Sequence, residues 1–211
     1  MFQANASMLK TRNQGAKARM DANEEFGILL SGLVSALQNF YRLDADLLRL
    51  GVNEPSLVGN FYRYFHEAVY SQFRDERLRI DLEYDKVGQE EAQKPRTGAN
   101  SGRLHMRPDM VVHYRGNPQR NLCMFEFKLH DSKEDFEEDR DKLRECVDPE
   151  WLGYHFGCFV VFGETIERCK SEWFADGKFC AMTYDEMSAR HAAQRPDLWC
   201  KVDKSGKMCL G

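Results

Sequence analysis

No two of the seven cysteines lie closer than nine positions, so the chain has no C-x-x-C pair. That spacing argues against a zinc ribbon or a dithiol redox motif. The odd count, with several cysteines in apolar runs, fits free thiols in a reducing cytoplasm better than a disulfide scaffold. Long hydrophobic runs are missing as well. Stretches such as 156–162 fall far short of a membrane span, and mean hydropathy is -0.63. The opening MFQANASMLKTRNQ has no apolar segment of the secretory kind. No GxSxG, P-loop, H-E-x-x-H or dinucleotide fingerprint occurs, and no internal repeat. Basic charge is not in excess either: 30 Lys and Arg face 34 Asp and Glu, a net charge of -4. That balance argues against bulk coating of polyanions but allows a local basic patch.

What is present is enough for one substantial domain: 211 residues, 42% of them hydrophobic and 30% charged. Residues 1–20 hold Lys10, Arg12, Lys17 and Arg19 and no acid, and are expected to be a mobile basic tail. Phe26, Leu29, Leu30, Leu33, Val34 and Leu37 recur at helical spacing and predict a helix over 23–41. A short helix is expected over 44–50, stopped by Gly51. Asn53 then suits an N-cap and Pro55 a first turn, opening a helix along Leu57, Val58, Phe61, Phe65, Val69 and Phe73. Glu54 falls at its N-terminus, where an acid commonly complements the helix dipole.

The period then changes. Leu78, Ile80, Leu82 and Tyr84 alternate with charged residues and predict a half-buried strand. A polar, glycine-containing loop is expected over 87–103. Two strands, 107–115 and 121–129, are joined by GNPQ, which reads as a hairpin turn. An acidic helix over 133–146 follows, with Phe136, Leu143 and Val147 turned inward and the remainder expected to be a solvated face. YHFGCFVVFG reads as a strand buried on both sides. Beyond 164 the pattern weakens to a strand near 179–183, a helix near 184–193 and a last strand near 199–202. The order helix, strand, hairpin, helix, strand is α/β, so a mixed sheet of about four core strands flanked by helices is expected.

The hairpin carries the chemistry. Period two puts Leu122, Met124, Glu126 and Lys128 on one face of the second strand and Cys123, Phe125, Phe127 and Leu129 on the other. If GNPQ is the loop, Asp109 lies opposite Glu126; if the loop shifts by one residue, Asp109 faces Lys128. Either register puts Asp109, Glu126 and Lys128 on the same face. Two carboxylates that close repel each other, and a bound divalent cation turns that repulsion into affinity. Magnesium or manganese suits such a pair with room for water and substrate oxygens. The lysine can then stabilise phosphate charge or orient a water. The plainer alternative is a solvated strand face with a cross-strand ion pair.

Pro108-Asp109 followed by Glu126-Phe127-Lys128 resembles the PD-(D/E)xK, or restriction-endonuclease-like, nuclease superfamily. With NEPSLVGNFYRYF, DLEYD, RPDMVVHYRG, NLCMFEFK, the acidic helix and YHFGCFVVF, residues 43–162 resemble a bacterial and phage branch of it. The resemblance implies a nuclease-like domain over 21–163, with 164–211 an extension packed on it. It implies Asp109, Glu126 and the backbone carbonyl of Phe127 as ligands of Mg2+ or Mn2+, Lys128 as the catalytic lysine, and Glu54 as a further acid near the metal. Asp81 and Glu83 are read as the wet face of a strand. Lys94, Arg96, Arg103 and Arg107 are candidate phosphate contacts. The implied function is hydrolysis of phosphodiester bonds by a cytoplasmic, DNA-binding endonuclease, DNA before RNA, with no membrane and with a homodimer admitted. The alternative is a nuclease-like module that binds nucleic acid or a protein partner without turnover.

Overall fold

The computed structural model describes residues 20–73, 77–83, 107–115, 117, 120–132, 136–175, 177–193, 201–202 and 208–209. Helix α1 (Ala22–Leu43) starts where the Asp21 carboxylate accepts from the Glu24 amide at 2.8 Å. Its stripe from Phe26 to Phe40 is buried, as the spacing predicts. Helix α2 (Asp46–Arg49) is a single turn ended by Gly51 at φ +64, a left-handed position that glycine takes without a steric cost. In α3 (Glu54–Tyr70) the Asn53 side chain caps the Ser56 amide at 3.1 Å, with Pro55 in the first turn.

Strand β1 (Leu78–Leu82) pairs antiparallel with β2 (Met110–Tyr114), and β2 with β3 (Asn121–Leu129). Helix α4 (Phe136–Cys146) then crosses to β4 (Phe156–Phe162), which runs parallel to β3. Strands β5 (Lys170–Ala175) and β6 (Lys178–Thr183) continue the same sheet antiparallel, in the order β1 to β6. The sheet therefore has six strands, not about four. The missed strand is β5, because KSEWFA does not alternate cleanly. Ser171 and Trp173 are buried and Trp173 joins the larger core, Phe174 packs against the other face, and Glu172 is neutralised by two hydrogen bonds from Arg140 at 2.7 Å. Helix α5 (Tyr184–Ala192), opened by a Thr183–Glu186 capping box, and the short pair β7 (Lys201–Val202) and β8 (Met208–Cys209) follow.

Two dry layers clamp the sheet. Helices α1 and α3 cover one face, where Phe61, Phe65, Phe125, Phe127 and Phe162 interlock at ring separations from 5.1 to 6.1 Å. Helix α4 covers the other, with Leu143 and Cys146 against Val111, Met124 and Phe159. Gly157 makes that approach close, since a Cβ there would sit 3.0 Å from the Leu143 carbonyl oxygen. Five cysteines, Cys123, Cys146, Cys158, Cys169 and Cys180, are buried free thiols. Among the described residues no helix is long and apolar enough to cross a membrane.

The α1–α3 contact rests on Gly32, where an added Cβ would come within 2.1 Å of Val69 Cγ2. Val69 is β-branched, fully buried and has nowhere to turn. Gly32→Ala is expected to lower unfolding free energy by about 1–3 kcal/mol through overpacking. Gly59→Ala, with open space around its Cβ, is expected to raise it by about 0.5–1 kcal/mol through helix propensity. Urea unfolding of the two variants checks both signs.

Candidate active site

Strand β3 outruns β2. Pairing runs Met110 to Phe125, Val111 to Met124 and Val112 to Cys123, and β2 begins at Met110. Asp109 therefore stands opposite Glu126, and the register that would set it against Lys128 does not occur. A bulge lies between Val112 and His113, after which His113 pairs with Asn121. Past the end of β2, the Phe127 amide finds its acceptor in a side chain: it donates to Asp109 Oδ2 at 2.8 Å. The Asp109 carbonyl in turn accepts from the Glu83 amide at 3.0 Å. One bond thus fixes the Asp109 carboxylate and the other its backbone.

Glu126 is 3% exposed, so the plainer alternative of a solvated strand face does not hold here. Its carboxyl is in hydrogen-bond contact with that of Asp109. Burial pushes Glu126 well above the usual carboxylate range, Asp109 adds to the rise, and Lys142 opposes it. Asp109 is also raised by burial, with the Phe127 amide and Lys128 pulling it back. Glu126 Oε1 is shut from solvent and has no hydrogen-bond partner. An orphaned buried carboxylate oxygen costs free energy unless something comes to meet it.

Lys128, 8% exposed, reaches Glu54 at the start of α3 and Asp139 on α4. Its Nζ donates to Glu54 Oε1 at 2.9 Å and lies 3.5 Å from Asp139 Oδ2. Glu54 thus enters the site through the lysine. Asp139 Oδ1 accepts from Lys142 Nζ at 2.6 Å. Sequence reasoning passed over Asp139 and Lys142 because the helix was read as a solvated acidic face. Asp139 is instead 6% exposed. The signal was available: Phe136, Asp139, Leu143 and Cys146 follow at helical spacing along one stripe.

The other candidates are dispersed. The Phe127 ring packs against Phe61 and Phe162, so only its backbone is available to the site. Arg107, 64% exposed in its side chain, is ion-paired with Glu83. Asp81 is held by Arg115 and by buried His113 at 2.7 Å; burial raises its carboxyl, but the hydrogen bonds with Arg115 and His113 outweigh it and hold the group below its ordinary value. His130 faces Glu164 at 3.4 Å. Lys94, Arg96 and Arg103, with the whole 87–103 loop, lie outside the described residues, as does the 1–20 tail apart from Met20.

Among the described residues no group of three or more His, Cys, Asp and Glu side chains is arranged to hold a metal ion. The donor chemistry at Asp109 and Glu126 still fits one hard divalent cation. Magnesium is commonly held by one or two carboxylates, with water or substrate oxygens completing its shell. No family model matches the chain, and no curated protein matches it.

Because burial raises both carboxyls, folding takes up protons between the ordinary carboxylate range, about pH 4, and the raised range of the buried pair. In EDTA, stability is therefore expected to rise as pH falls through that window. Glu126→Gln is expected to stabilise the metal-free protein by about 1–3 kcal/mol at alkaline pH, a gain that shrinks on acidification. Urea midpoints of both proteins across the window check the sign.

Proposed function

We propose that the chain is a magnesium- or manganese-dependent nuclease of the PD-(D/E)xK kind that hydrolyses phosphodiester bonds, DNA before RNA. One observation carries the reading: Glu126, buried in hydrogen-bonded contact with Asp109, keeps a carboxylate oxygen with no partner, two residues from a lysine on the same strand. Local charge supports it. Asp109, Glu126, Glu54 and Asp139 gather around Lys128 and Lys142, an acid-rich setting that favours a divalent cation. The element order from α3 to β4 and a mixed sheet covered by helices support a restriction-endonuclease-like core.

Asp109, Glu126 and the Phe127 carbonyl would hold the cation. When bound, it supplies Lewis-acid polarisation of a phosphoryl oxygen and acidifies a water. Asp109 is kept in position by the Phe127 amide. Lys128 holds a positive charge beside the site, where it steadies the charge that develops on the phosphoryl oxygens and orients a water. Glu54 completes the site by aiming that ammonium from the start of α3.

A second reading has its own support. Lys128 already has carboxylates on both sides, Glu54 and Asp139, so its charge is satisfied without a substrate. That suits a nuclease-like module that binds nucleic acid or protein without turnover.

Incubating the full chain with plasmid and single-stranded DNA, in manganese and in EDTA, separates the two. Cleavage is expected in manganese only, and Glu126→Ala and Lys128→Ala are each expected to slow it by about 10²–10³-fold. Activity that survives either substitution overturns the mechanism. Binding without cleavage in any divalent metal favours the second reading.

A further inference from the structure

Of the five acids on helix α4, two are exposed, two half-buried and one, Asp139, is buried. Asp139 divides its two carboxylate oxygens between two lysines: Oδ1 takes Lys142 Nζ at 2.6 Å, and Oδ2 faces Lys128 Nζ at 3.5 Å. Lys128 has a second, shorter bond to Glu54 at 2.9 Å. Lys142 sits one turn along the helix from Asp139, within electrostatic range of Glu126. The unpartnered Glu126 Oε1 lies in the same cluster. An ammonium on a flexible four-carbon stem is drawn to such an oxygen, and only an alternative partner of equal charge holds it off.

We propose that Asp139 is a positioning residue that tethers Lys142 away from Glu126 and so keeps the Glu126 carboxylate open for a divalent cation. Without the tether, Lys142 swings onto Glu126 and occupies electrostatically the place the cation would take. The proposal rests on the nuclease reading for the cation's purpose, but not for the tether itself. An outer residue that only orients a ligand typically alters affinity by about 10–100-fold when lost.

The test is manganese binding by electron paramagnetic resonance titration of the full chain. Asp139→Asn, nearly isosteric, is expected to weaken binding by about 10–100-fold. The double variant Asp139→Asn with Lys142→Met is expected to restore it, because the competing ammonium is gone. An Asp139 that serves packing alone predicts no such rescue, so weak binding in the double variant overturns the proposal. So does wild-type affinity in Asp139→Asn. In EDTA, the nitrogen-15 side-chain signal of Lys142 is expected to shift in Asp139→Asn and to return to the exposed-lysine position once Glu126→Gln is added. A Lys142 signal indifferent to Asp139→Asn overturns the tether. If wild type binds no manganese and cleaves nothing, the nuclease reading fails, and this metal-free signal still decides the tether on its own.

Discussion

Two carboxyl groups, one buried and one half-buried, are forced together, and the rest of the molecule is arranged around that contact. The repulsion between adjacent charges grows as the surrounding dielectric falls. Asp109 and Glu126 meet where β2 ends and β3 continues, with aromatic packing on one side of the sheet and α4 on the other. Neither side chain has room to retreat: Asp109 is bonded to the Phe127 amide, and Glu126 is sunk in the central part of β3. Burial therefore raises both carboxyls, and the charged form of the pair is disfavoured where it stands.

Each neighbouring element brings a charge to this point for a local reason. The Asn53 cap sets where α3 starts and so where Glu54 stands. The apolar stripe of α4 presses against Val111, Met124 and Phe159, and Asp139 and Lys142 come with it. Lys128 projects from the same face of β3 as Glu126 and is met from both helices. Packing of apolar residues is what places the ions. Buried ion pairs repay little of their own desolvation, so the hydrophobic layers supply the free energy that holds this cluster in place.

Much of this was legible in the sequence because it is local. The cap at Asn53, the stop at Gly51, the alternation through Ile80 and the shared face of Glu126 and Lys128 all follow from residues within a few positions of one another. The opposition of Asp109 and Glu126 needed only the turn, and one of the two registers considered was the right one. What escaped was non-local. Strand β5 is stabilised by Arg140 on a distant helix and by Trp173 packing into the core near Phe26 and Phe125, which no six-residue window reveals. Asp139 looked like one more acid in an acidic helix, because its partners Lys128 and Lys142 become visible as partners only when the helix lies on the sheet.

The irregularity between Val112 and His113 has a consequence of its own. It resets the side-chain phase of the hairpin, so the half that carries the acids is mechanically insulated from the half that carries the turn. Length changes in the connecting segment can be absorbed at the kink without rotating Asp109 off the face it shares with Glu126. The chain can therefore vary its outermost hairpin tip while the end that carries Asp109 and Glu126 stays in alignment.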